Sequence, residues 1–527
     1  GYIDQKIRFL ARDDEILKVE EMVSDEIVYE NAWISGFSGK TVTVFIGNIQ
    51  REFPVKGVLK DESEISGQIG DLYLKGGTPK RLVLKKEKIT GTVLAVRDTE
   101  IEIDGYGSVP LADQFKIYRT YGVLREQQKK DILVGYHMQE FVVADGKICA
   151  ALTTEKPDID MIRVLIMTNG FKSLFHDTIT LSCDSMAVLE YGDEKDAKTE
   201  SIAAGETVTI KPGDSRVASG RLTFRSANEG GMITVHSLER AQGMPVYPGH
   251  MEITEESDGL LLLNEVDLEE YLKRVTPSEM PPTYELEALK AQAICARSYA
   301  YNNISQNKHS AHHFDVCSST DCQVYRGAGS NVSSYQSTDR TDRAVEETAG
   351  EYALYDGTVI EAFYSSSHGG ASEDVYNVWG SSREKYPYLC GVEDPYEQDV
   401  ASLNSYSSWT VRYTASELTS LLQKWGGVNA SVESLTLTYS DLGNVIQVKV
   451  NYTNGESSTI LTALRTGRAS YNVLQDINNH RGERVLLEST TIPIVVDGRV
   501  EERFVTLVNP GRQLGERITV LTGITDD

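Results

Sequence analysis

The sequence predicts an α+β protein, a long β-rich amino-terminal part leading into a mixed α/β centre. Three observations carry that reading. Residues 1–160 contain runs that alternate apolar and polar side chains between Asp-Gly and Gly-Gly turns. The period then lengthens to a helical one at VDLEEYLKRV (266–275), where Val266, Leu268, Tyr271, Leu272 and Val275 share one face. A Pro-Pro pair and the alanine-rich stretch EALKAQAICARSYA follow at once.

The strands are expected at TVTVFIG (41–47), ITGTVLAV (89–96) and TEIEIDGYGSVPL (99–111). After a boundary near 148–161 they resume at IRVLIMT (162–168), DTITLSC (177–183) and SGRLTFRS (219–226). Pro281 and Pro282 forbid continuation of the helix before them, because each lacks an N–H and restricts its predecessor. They suit the entrance to a second helix, expected over about 284–303 with Thr283 as its N-cap. A third helix is expected near 341–350, a hairpin turning at Asp356-Gly357, a helix over 410–425 and a hairpin over 433–453. Further strands over 492–523 turn at Asp497-Gly498.

Composition narrows the function. With 78 acidic against 52 basic residues the net charge is −26, which opposes a nucleic-acid partner and broad adhesion to anionic polymers. Six cysteines in 527 residues do not make a disulfide scaffold. The longest apolar run, LLLL at 260–263, is strand-sized and far short of the roughly 20 residues of a membrane span. Twenty-seven tyrosines against 12 phenylalanines accord with work on sugars or walls outside the cytoplasm. Because the chain starts at Gly1 rather than Met, a leader or membrane anchor is expected ahead of it.

The chemistry concentrates at TPSEMPP (276–282), where Glu279 stands alone in a tight corner between two helices. A Glu at such a place is commonly an exposed residue that favours a helix dipole. It also suits an acid/base, if Met280 and the prolines form an apolar surrounding that raises its pKa. A second cluster gathers His309, His312, His313, Cys317, Asp321 and Cys322 within 14 residues. Thiolates with imidazoles are zinc-type ligands, and a closed set of four would be structural. A Cys317–Cys322 disulfide and a free, inert thiol pair are the alternatives. The run SSSHGG lacks the G-x-S-x-G elbow of a serine hydrolase, and no P-loop or dinucleotide fingerprint is present.

Six ordered pieces resemble the SpoIID/LytB family of bacterial sporulation and cell-wall proteins. They are VYPGHMEI with LLLLNEVDLEEYLKRV, PSEMP, EALKAQAICARSYA, FDVCSSTDCQVYRG, FYSSSHGGASEDVYNVWG and KYPYLCGVEDPYE. They lie within about 247–396, with weaker similarity back to about 160 and forward to about 485, and they leave the first 160 residues uncovered. The resemblance implies a SpoIID-type catalytic core over 247–400. A β-rich part precedes it at 161–246, an α/β part follows at 401–490, and a β-rich tail closes the chain at 491–527. Residues 1–160 would form one or more further β-rich domains.

SpoIID proteins are lytic transglycosylases that cut peptidoglycan strands stripped of stem peptides during forespore engulfment. Glu279 falls on the family's acid/base, while Arg297, Ser372 and Tyr388 fall on positions expected to line the glycan groove. Arg297 would bind sugar oxygens or the N-acetyl carbonyl, since direct contact with Glu279 would oppose a raised pKa. Some members carry lysine where this chain has Cys390, which puts a charge role there in doubt. At least one member is similar in holding zinc in the loop matched by Cys317 and Cys322. One or two of His309, His312 and His313 are the expected remaining ligands, His312 and His313 foremost, and Asp321 replaces a frequent histidine. Zinc would be structural, with no cofactor needed for the chemistry. Expected partners are peptidoglycan glycan strands, a SpoIIP-like amidase and a SpoIIM-like membrane protein, at an extracytoplasmic, membrane-anchored location. LytB-type relatives instead enhance an amidase without cutting glycan, and a wall-binding scaffold is the third reading.

Overall fold

The computed structural model describes residues 2–461 except 13–14, 39, 55–64, 138, 157, 193–195, 219, 330–335, 365–370, 397–398, 400–415, 421–428 and 443–444, and beyond them 485–486, 494–496, 499–501 and 506–507. Strands dominate and helices are few, as an α+β reading requires. A two-stranded ribbon (Lys6–Arg12 with Glu15–Ser24) comes first. A five-stranded antiparallel sheet follows, in the order Ile49–Pro54, Thr41–Ile46, Glu26–Ser38, Gln68–Lys75, Thr78–Lys85. Its alternate residues Ile34, Val42, Val44 and Leu72 fill their own small core. A second sheet, built from Glu87 to Thr153, packs Ile101, Ile103, Phe141 and Ile148 into another.

From Met161 onward a seven-stranded sheet runs Lys198–Ile202, Ala187–Tyr191, Arg221–Ser226, His250–Glu256, Gly259–Asp267, Met161–Leu165, Val316–Cys317. Every pairing is antiparallel except the last, in which Val164 and Leu165 lie parallel to Val316 and Cys317. One core cluster joins this sheet to the helices behind it, from Leu133 and Tyr136 through Leu261, Tyr271 and Ala296 to Val345. Residues 161–246 therefore share their interior with the segment after them.

Helix α1 (Leu268–Glu279) leaves the strand Gly259–Asp267 without a loop, and the Asp267 carboxylate caps it by accepting from the Glu270 N–H at 3.0 Å. Met280 is extended (φ −130°, ψ 128°), the conformation that a following proline imposes, so the helix ends at Glu279. Helix α2 (Leu286–Gln306) has Glu285 rather than Thr283 at its N-cap, with no side-chain cap bond. Helix α3 (Asp339–Glu346) packs beside both. The hairpin at Asp356-Gly357 forms as two short strands, and the hairpin Val432–Tyr439 with Val445–Tyr452 matches its expected range. Of the helix expected over 410–425, the described residues 416–420 are helical. The Asp497-Gly498 turn lies outside the described residues, between paired strands Ile494–Val496 and Arg499–Glu501.

The second sheet docks on the central one through buried polar groups. The Tyr136 hydroxyl contacts the Met161 carbonyl at 2.9 Å and the Asp315 carboxylate at 3.1 Å. Arg221 pairs with Glu102 at 2.7 Å, and the Asn307 amide, just past α2, donates to the carbonyls of Lys130 and Ile132.

Candidate functional site

Glu279 is the last residue of α1, and its side chain turns inward against the segment Cys322–Gly327. The Val324 N–H donates to its Oε1 at 2.6 Å, while Oε2 is buried and has no hydrogen bond. Burial, the largest influence, pushes its pKa up to about 7; the Val324 N–H, the Tyr364 hydroxyl and the Arg326 charge pull against it. The apolar surroundings differ from expectation. Pro281 is exposed, and the carboxyl is enclosed instead from the side of Tyr271, Val324 and Tyr364.

Gln323 ties this enclosure together. Its Oε1 accepts from the Tyr271 hydroxyl at 3.1 Å, and its Nε2 donates to the Ala296 carbonyl and to the Tyr364 hydroxyl oxygen, both at 3.2 Å. Since that oxygen is accepting, the Tyr364 proton is available to the carboxylate beside it. Tyr247, Tyr325 and Tyr271 stack in sequence at 5.2 and 4.9 Å, and the Tyr325 hydroxyl donates to Asn264 at 2.9 Å. Gly327 ends the segment at φ +72°, where a Cβ would lie 2.7 Å from the Tyr247 ring. Gln323, Val324 and Tyr364 lie in CQVYRG and FYSSSHGG. Nothing in their spacing shows that the two pieces converge on Glu279.

Arg297 lies elsewhere in the architecture. Its side chain is fully buried and forms a two-pronged ion pair with Glu269, Nε to Oε1 and Nη2 to Oε2 both at 2.7 Å. Nη1 donates to the Glu351 carbonyl and Nη2 also to that of Val345. It clamps α1, α2 and the segment after α3 instead of presenting donors to a sugar, which corrects the groove role expected for it. Ser372 is half-buried and zips its segment to Val392 through its N–H (3.0 Å) and its hydroxyl, which accepts from the Val392 N–H at 3.0 Å. The half-buried Tyr388 accepts from the Glu361 N–H at 3.2 Å and packs against Tyr355 and Tyr386. Cys390 is exposed, and His368 lies outside the described residues.

The thiol loop is anchored by the parallel strand at Val316–Cys317 and by the Ser318 N–H, which donates to the Leu165 carbonyl. Cys317 and Cys322 are free thiols, not a disulfide. Their sulfurs and an Asp321 carboxylate oxygen lie within 4.8 Å of one another, and His309 Nε2 lies 3.1 Å from the Cys322 sulfur. The contact between the thiols lowers the Cys317 pKa, while the same contact and burial raise that of Cys322. Two soft sulfurs, an imidazole and a carboxylate are a donor set that fits zinc. Of the three candidate histidines, His309 reaches the thiols, whereas His312, expected foremost with His313, turns its Nδ1 to Glu256 at 3.0 Å. His313 is turned into the left-handed region (φ 57°), with its carbonyl accepting from Arg163, and burial lowers its pKa.

The region thus brings a buried carboxyl at a helix corner next to a loop with metal-type donors. The profile of the SpoIID family, described as a stage II sporulation protein, matches residues 256–355, which contain Glu279 and the thiol loop. Through this region the chain is similar to the SpoIID/LytB family. It is 35% identical over 147 residues to the amidase enhancer of Bacillus subtilis, covering 28% of this chain and 17% of that one. Against the stage II sporulation protein D of Bacillus subtilis it is 30% identical over 152 residues, 28% of this chain and 43% of that one. An uncharacterized protein of Brachyspira hyodysenteriae is 38% identical over 146 residues, covering 28% and 37%. The chain thus spans less than half the length of each of these relatives.

Proposed function

We propose that this protein is a lytic transglycosylase of peptidoglycan, acting on glycan strands stripped of stem peptides, with Glu279 as its acid and base. The observation that carries the reading is a buried carboxyl whose pKa is about 7 and whose second oxygen is unpaired. Protonated, it gives its proton to the glycosidic oxygen as the bond to muramic C1 breaks. The carboxylate left behind takes the proton of the same sugar's C6 hydroxyl, whose oxygen bonds to C1 and closes a 1,6-anhydro ring. That intramolecular attack needs no positioned water and no second carboxylate. The groups acting most strongly on Glu279 are Val324, Tyr364 and Arg326, none of them a carboxylate, which suits such a mechanism. Gln323 and Tyr364 orient the acid, and Ser372 and Tyr388 are the proposed lining of the glycan groove.

Zinc, when bound, would be held by Cys317, Cys322 and His309, with Asp321 beside them, and would clamp the loop that continues into Gln323 and Val324. Its expected signature is one zinc per chain, with chelation lowering the melting temperature. The location is the cell envelope, where a SpoIIP-like amidase and a SpoIIM-like membrane protein would be partners. Among the described residues no helix is long and apolar enough to cross a membrane.

The test is mass spectrometry of products from stem-peptide-free strands. Anhydromuramic ends that vanish in Glu279→Gln are expected; reducing ends would replace this mechanism with hydrolysis. A second reading, non-catalytic enhancement of an amidase, is favoured by the similarity to the Bacillus subtilis amidase enhancer. It predicts no cleavage by the protein alone and undiminished enhancement by Glu279→Gln.

A further inference from the structure

A cavity of about 350 Å³ opens between the first two sheets, formed wholly by residues from Val28 to Glu126. It lies where the strand Glu26–Ser38 breaks register with its neighbour between Tyr29 and Ala32. Such bulges re-aim side chains and often flank binding sites. The bulge is held by Asn31, a buried residue in the left-handed region (φ 54°). Its N–H donates to Asp71 at 2.8 Å and its side-chain amide to the Gln114 carbonyl at 2.8 Å, while its own carbonyl accepts from the Tyr118 hydroxyl at 2.9 Å. Across the mouth, the Glu126 N–H donates to the Asn48 side chain at 2.8 Å. The bonds to Gln114, Tyr118 and Glu126 cross from the first sheet to the second, so the cleft is formed before any ligand arrives.

Its lining is amphipathic. Tyr29, half-buried, supplies the accessible aromatic carbon, with the buried Phe45 and Tyr118 beneath it, and the rim carries Glu30, Gln114 and the Lys116–Glu126 pair, 2.6 Å apart. Lys116 is already neutralised, and Glu30 leaves a carboxylate over, in a chain of net charge −26. An anionic ligand is repelled by that balance. A purely apolar one would strand the amide and the carboxylates. A sugar ring offers C–H faces to aromatic carbon and vicinal hydroxyls to carboxylate and amide, and the volume is in the range of small-molecule sites. We propose that this cleft binds a short neutral segment of a glycan, giving the chain a saccharide site separate from Glu279. The proposal goes beyond the glycan-cutting reading and survives its failure, because no residue of the cleft belongs to the acid's surroundings.

The test is site-resolved hydrogen–deuterium exchange on the full chain with millimolar tetra-N-acetylchitotetraose, and in parallel with maltotetraose. Protection of peptides covering residues 26–33 and 114–126 is expected, with at least a tenfold loss of affinity at this site in Val28→Trp, which fills the mouth from a partly exposed position. Protection by both sugars would mean a general neutral-saccharide site, and protection by the first alone an amino-sugar site; each supports the proposal. No protection of these peptides by either sugar, or protection unchanged by the tryptophan, overturns it. Should Val28→Trp fail to fold, the double substitution Glu30→Ala/Gln114→Ala removes the exposed hydrogen-bonding groups and carries the same test. Cleavage assays are not needed, so failure here is distinct from failure at Glu279.

Discussion

Glu252 and Glu279 are both buried carboxyls, one on each side of the strand Gly259–Asp267 in the chain, yet their environments push them in opposite directions. Glu252 pairs with Arg163 at 2.8 Å and feels Arg221 at 3.6 Å, so its pKa falls below the usual value although burial opposes this. Glu279 has one backbone donor and no ion pair among the described residues, and burial prevails. The contrast teaches that partners decide what a buried acid does, more than depth. A carboxylate whose oxygens meet guanidinium groups is fastened into the scaffold, whereas one left half-satisfied keeps a proton that it can give away.

The largest effect that separates the two is Glu279→Gln, which should cut turnover by about a thousandfold or more, because one group supplies both the acid and the base. Its fold should remain, as circular dichroism would verify. Glu252→Gln should do the reverse, leaving Arg163 half-paired and costing about 3–5 kcal/mol of stability in a denaturant melt, with little change in turnover per folded molecule. If it instead removed activity without destabilising the protein, the division between scaffold and poised acid would fail.

Arg297→Ala should resemble Glu252→Gln, losing about 3 kcal/mol through the orphaned Glu269 and the lost clamp. A raised KM with an unchanged melting temperature would restore the glycan-binding role that the sequence suggested. Next in size are two pH effects. Because the acid form starts the reaction, kcat/KM should be level below pH 7 and fall about tenfold per unit above it. The same shift has a stability sign. The folded pKa lies above the ordinary 4.5, so ionisation opposes folding increasingly as pH rises from 4.5 to about 7, and fully beyond. Glu279→Gln should therefore gain on the order of 2 kcal/mol at pH 8 and nothing at pH 4, less than the full shift implies because the residue is only half-buried overall. Glu252 has the opposite sign, its contribution vanishing only as pH drops below 4.5. The smallest effect is Tyr364→Phe: loss of the hydroxyl that pulls the Glu279 pKa down should move the alkaline limb of the pH profile to higher pH.

Much of this was legible in the chain itself, and for local reasons. Strand alternation, the helical period from Val266, and two prolines that cannot continue a helix are properties of adjacent residues, so a first helix, its stop before the prolines and the start of a second could be read directly, although the helix runs on past 275 to include Glu279 itself. The clustering of cysteines and histidines was equally local. What the sequence could not determine is which partner each side chain meets. Arg297 lies 28 residues from Glu269, and only the packing of α2 on α1 joins them. His309, His312 and His313 share one short loop, but the parallel pairing of Val316–Cys317 with Met161–Leu165 and the turn at His313 decide that His309 meets the thiols. Gln323 and Tyr364, 41 residues apart, meet beside Glu279 in the same way. Periodicity and proline chemistry act within a few residues of the chain. The pKa of an acid and the donors of a metal site depend on groups within a few ångströms in space, and those are brought together only by the tertiary fold.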